Sequence, residues 1–133
     1  MIRALKVTMV VYAASGILFG MAFIFVPRQL GAMLGHESGP AYVAALTAEL
    51  GVSFISACIF LIIAARDPIR HILWVRYAIL FAILMLASSL YSFFMGNLTF
   101  NQAGVGIMHA VFASALLAFY PWHGFKTNES VRS

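Results

Sequence analysis

The feature that most constrains this chain is residues 41–65, AYVAALTAELGVSFISACIFLIIAA, an apolar run with one ionisable residue, Glu49, well inside it. About 20 helical residues cross the roughly 30 Å of hydrocarbon in a bilayer, and this run is long enough. Three similar runs flank it, at 5–26, 72–95 and 103–120. Each must be helical if it crosses lipid, because a lone strand would leave backbone groups unpaired there. Short connections make sequence neighbours antiparallel. The expected fold is all-α, an integral membrane up-down four-helix bundle forming one domain over residues 1–133, with a polar tail at 121–133.

Composition agrees. Hydrophobic residues make up 63% of the chain and charged residues 9%, against roughly 45–50% and about 25% in soluble domains. The net charge of +4 does not point to nucleic acid. Lys and Arg stand at the ends of apolar runs, as membrane topology requires, and no basic face interleaved with aromatics exists outside them. The single cysteine, Cys58, excludes an intrachain disulfide, a CxxC pair and a thiolate metal cluster. It reads as a small buried apolar residue.

The first run follows Arg3 and overlaps Lys6. Its apolar part is about 20 residues, not the roughly 7–15 of a secretory signal, and no small-x-small cleavage site follows, so a retained helix is expected. Gly16 and Gly20, with Ala13 one turn earlier, give it a face that another backbone can approach closely. Pro27 ends the run. Leu30, Met33 and Leu34 then share a face, as in a short interfacial helix between the first and second spans. A polar turn is expected at 36–40 and an uncharged loop at 96–102. Arg76 can snorkel toward headgroups, and Trp74 suits an interfacial belt. Seven of the eight Lys and Arg residues fall on one side of this arrangement, Arg28 alone on the other. The bias implies a multi-pass protein with both termini cytoplasmic.

At 1.5 Å per residue, Glu49 lies about 12 Å below the outer end of its run, His109 about 9 Å and Ser88 about 10 Å. Ser92 is one turn above Ser88. Ser53 and Ser56 follow Glu49 at i+4 and i+7, and Tyr42 precedes it at i−7, a polar or small stripe. Ser88, Tyr91 and Ser92 share a face of the third helix; Gly106, His109 and Ala113 share one of the fourth. Turning these stripes inward gives a polar pocket in the outer half, above a lower half filled by residues such as Phe60, Leu84 and Leu116. The ligand-binding or proton-relay candidates are Glu49, His109, Ser53, Ser88, Ser92 and Tyr91. A carboxyl at membrane depth costs about 2.5–3.5 kcal/mol on insertion scales and needs a partner or a use. Glu49 and His109 could form a neutral hydrogen-bonded pair or a carboxylate–imidazolium pair; each also has a purely structural role open to it. No Ser–His–Asp set is identifiable, since Asp67 falls on the cytoplasmic side. Two ligands are too few for a catalytic zinc, which usually has three. No catalytic residue, metal or cofactor is assigned.

The segments FVPRQLGAMLG, AELGVSF and SSLYSFFMGN, followed by a closing fourth helix, resemble the DoxX-like group of small four-helix bacterial membrane proteins, with its BphX-like relatives. The likeness covers nearly the whole chain. Glu49 with Gly51 is similar to the Glu-x-Gly that recurs in the group's second helix. A basic residue late in the group's third helix has no counterpart, Ser88 and Ser89 standing there instead, and His109 replaces an acidic residue of the fourth. The resemblance implies an accessory membrane protein with a lipid or quinone pocket.

The expected function is non-enzymatic, binding a small amphiphile (lipid or quinone) or supporting a membrane complex, alone or as a homo-oligomer. The alternatives are a proton-coupled small-molecule exporter using Glu49 and an accessory subunit of a quinone-linked oxidoreductase.

Overall fold

The computed structural model describes residues 1–33, 41–96 and 104–122, with Ala41 and Tyr42 described by their backbone alone. Leu34, the polar turn at 36–40, the loop from 97 onward and the tail from 123 onward lie outside the described residues. Five helices make up the rest: α1 (Ile2–Phe25), α2 (Pro27–Met33), α3 (Ala41–Arg66), α4 (Ile72–Phe94) and α5 (Gly104–Phe119). No strand occurs among the described residues. Helices α1, α3 and α4 are long and apolar enough to cross a membrane; α5 is apolar but has 16 residues. It is therefore about 24 Å long.

The boundaries have local causes. Val26, just before Pro27, takes φ −135° and ψ 48°, because a residue preceding proline is pushed out of the helical region. Pro27 then opens α2, where its missing N–H costs nothing. Between α3 and α4 the backbone N–H of Arg70 donates to Asp67 Oδ1 at 3.2 Å, a local side-chain to backbone bond that helps the chain reverse.

Helix α1 packs most closely along α3, and also on α5; α4 packs on α5 and more sparsely on α3. Small residues set the close approach. A Cβ at Gly16 would collide with Cys58 Sγ, and one at Gly106 would lie 2.9 Å from Ser89 Cβ. Lys6 Nζ donates to the Arg66 carbonyl oxygen at 2.6 Å, and Arg76 Nε to the Tyr120 hydroxyl at 2.7 Å. These bonds join the start of α1 to the end of α3 and the start of α4 to the end of α5, so both pairs are antiparallel. The same bonds gather Arg3, Lys6, Arg66, Arg70 and Arg76 at one end.

The core is built near that end from Leu5, Met9, Leu61, Val75, Ala78 and Leu116, with alanines between. Leu116 is fully buried as expected, but Phe60 and Leu84 are 51% and 58% exposed and face outward. Large apolar side chains such as Leu18, Val52, Leu80 and Val111 also cover the outside. An outer surface this apolar suits lipid rather than water.

Candidate functional site

Between the helices lies a cavity of about 110 Å³, lined among others by Tyr12, Gly16, Phe54, Cys58, Phe81 and His109. Among the described residues its wall is almost entirely apolar, and it holds one buried polar pair. The Tyr12 hydroxyl and His109 Nδ1 stand 3.0 Å apart, joining α1 to α5. Tyr12 is 6% exposed and His109 4%. Burying a hydroxyl or imidazole costs free energy unless it is hydrogen-bonded, so the pair satisfies both groups at once.

Packing fixes the two rings. Phe112, one turn after His109 on α5, stacks on Tyr12 with centroids 4.6 Å apart. Phe81 of α4 meets His109 edge-on at 6.1 Å. On α5, Gly106, His109, Ala113 and Leu116 form one buried stripe, which holds the imidazole inward. His109 Nε2 has no hydrogen-bond partner among the described residues, yet it is not a sealed, unsatisfied atom. The His109 ring lines the cavity. Two proton placements satisfy the Tyr12–His109 bond. When the phenol donates to Nδ1, Nε2 carries the proton and offers a donor; when Nδ1–H donates, Nε2 offers an acceptor. In either case the pair, both of whose rings line the chamber, keeps hydrogen-bonding capacity for a further group.

Of the six ligand-binding or proton-relay candidates, His109 alone is among the residues that line this cavity. Glu49, Ser53 and Ser56 do share a stripe, but it faces outward: all three are exposed. Ser53 Oγ donates to the Glu49 carbonyl at 3.0 Å and Ser56 Oγ to that of Val52 at 2.9 Å. A serine that bonds the carbonyl four residues back is satisfied within its own helix and need not turn inward. Ser88 and Tyr91 are exposed, and Ser92 is half-buried. It is Ser89, one residue round from Ser88, that meets α5 at Gly106. The expected outer-half polar pocket is thus replaced by an apolar chamber with one polar point, and His109 pairs with Tyr12 rather than Glu49. Tyr12 was missed, although the rule applied to Glu49 covers it: a phenol ten residues into an apolar helix also needs a partner. Among the described residues, no group of three or more His, Cys, Asp or Glu could hold a metal.

Comparison with known proteins returns no match to a family model, to a curated protein or to a solved structure.

Proposed function

We propose that this chain is a multi-pass membrane protein, an up-down bundle of four spanning helices in the inner membrane with cytoplasmic termini. In this reading its intramembrane cavity binds a small amphiphile of the lipid or quinone class. The observation that carries this is the buried, hydrogen-bonded Tyr12–His109 pair, whose two rings line an apolar, aromatic-walled space. Sites of this kind gain affinity from apolar burial and orientation from a few placed polar groups. Binding is favoured over catalysis because, among the described residues, no carboxylate lines the cavity and its imidazole is already tied to a phenol. The likeness to DoxX-like proteins, carried by the motifs quoted above, agrees with an accessory role beside a membrane complex.

The test is thermal unfolding of the purified protein in detergent with decylubiquinone and with para-octylphenol. Ligand should raise the melting temperature of the wild type, and His109→Leu should lose that increase. An equal increase in His109→Leu would remove the site.

A further inference from the structure

We infer that the cavity is loaded from within the bilayer, through a window between α3 and α4 framed by Ala57 and Tyr77. Its ligand is then a single ring with one oxygen and a hydrocarbon tail. This rests on the cavity being a binding site, and it adds the route and the chemical class.

The window follows from side-chain spacing along two helices. Phe54, Ala57 and Phe60 recur every three residues on α3; Trp74, Tyr77 and Phe81 occupy the facing side of α4. Phe60 stacks on Trp74 with centroids 5.0 Å apart and planes 6° from parallel. Phe54 meets Phe81 edge-on at 5.6 Å. The seam is therefore bridged by an aromatic pair on each side of Ala57, which has only a methyl group to offer.

Two further observations agree. A shallow groove on the outer surface is lined by Ser56, Ala57, Phe60, Leu73, Trp74 and Tyr77, and the inner cavity is also lined by Ala57 and Tyr77. The wall is therefore one side chain thick at this point, and Tyr77 is 43% exposed although it lines the interior. The α3–α4 seam is also packed more sparsely than α1–α3 or α4–α5. Of the closely neighbouring helices, these two separate at the least cost in contact.

The ligand class follows from size and shape. A dry cavity of about 150 Å³ admits benzene, so about 110 Å³ with a side opening suits one ring and little more. Aromatic walls favour a flat ring, and the Tyr12–His109 pair, which keeps one donor in either tautomer, can bond one hydroxyl or carbonyl oxygen on it. A tail opposite that oxygen can leave through the window and then lie along Phe60, Leu73 and Trp74. Alkylated phenols and quinones dissolved in the membrane share this chemistry.

The experiment compares para-octylphenol with phenol, which has no tail, on the protein in lipid nanodiscs, measuring affinity and association rate. The wild type should bind the tailed ring at least about tenfold more tightly. Ala57→Phe fills the window and should weaken or slow para-octylphenol by about tenfold or more while phenol changes far less. Tyr77→Ala widens the window without adding bulk and should speed association of the tailed ring, which keeps the test valid if Ala57→Phe does not assemble. Wild-type affinity and rate for para-octylphenol in Ala57→Phe, or an unchanged rate in Tyr77→Ala, would overturn the window and leave the cavity standing. If the wild type binds neither probe, the cavity reading fails and the route fails with it.

Discussion

Gly20 of α1 and Gly51 of α3 meet backbone to backbone: a Cβ on Gly51 would stand 2.6 Å from the Gly20 carbonyl oxygen, and one on Gly20 2.8 Å from that of Gly51. Neither obstacle is the end of a flexible side chain, so an added methyl can be accommodated only by moving a helix. Overpacking of this kind costs about 1–3 kcal/mol. Gly51→Ala should lower stability by that order in reversible unfolding in mixed micelles, and Gly51→Val should prevent assembly. Gly31→Ala is the control. Nothing lies within 4 Å of its added Cβ, and α2 should gain up to about 1 kcal/mol in helix propensity.

The Tyr12–His109 bond predicts coupling between two residues 97 positions apart in sequence. Tyr12→Phe removes the hydroxyl and leaves Nδ1 buried without its partner, at a cost of about 1–3 kcal/mol. His109→Leu strands the phenol in the same way. The double substitution should cost less than the sum of the two, with a coupling of about 0.5–2 kcal/mol, since interhelical hydrogen bonds in membranes average near the low end of that range. A double-mutant cycle on melting in detergent checks this. Strict additivity would mean that the bond contributes nothing to stability.

How much of this was legible in sequence depends on which residues carry the signal. Apolar runs and the stop at Pro27 placed every long helix to within a few residues. Gly16 and Gly20 marked the packing face of α1, and Gly106, His109 and Ala113 marked that of α5. The rotation of α3 and α4 was not legible from their polar residues. A helix that is apolar all round has no hydrophobic face to orient it, and gathering the polar side chains inward turned Glu49 and Ser88 the wrong way. Small residues were the better guide, since Gly51, Ala64 and Ala65 on α3 and Ala78 and Ala82 on α4 are buried, beside Leu61 and Val75. The cavity itself was invisible, because its main polar partner, Tyr12, sits 97 residues from His109 with no spacing rule to link them.

Gathering five basic residues at one end predicts orientation. A green fluorescent protein fused to the C-terminus should fluoresce in cells, and an alkaline phosphatase fused there should be inactive, because cytoplasmic loops carry the excess of Lys and Arg. Within that end, Lys6 donates to the last carbonyl turn of α3 at Arg66. Lys6→Met should cost about 0.3–1 kcal/mol, the usual size of a cation at a helix C-terminus, and the loss should shrink in high salt.

Glu49 gives the prediction that separates the two main readings of this chain. Its neighbour Leu50 lines the cavity, and successive residues on a helix turn by about 100°, so the carboxyl points away from the chamber and is exposed. Ser53 bonds the Glu49 main-chain oxygen and leaves the carboxylate itself alone. Glu49→Gln keeps the shape of the side chain and, by removing an ionisable group from the outer face of a spanning helix, should not lower stability. It should also leave para-octylphenol binding at the wild-type level, while His109→Leu abolishes it. In reconstituted vesicles neither the wild type nor Glu49→Gln should drive proton-coupled efflux of cationic dyes. Efflux by the wild type that Glu49→Gln abolishes would transfer the function from the Tyr12–His109 cavity to the outer face of α3, and the protein would then be an exporter.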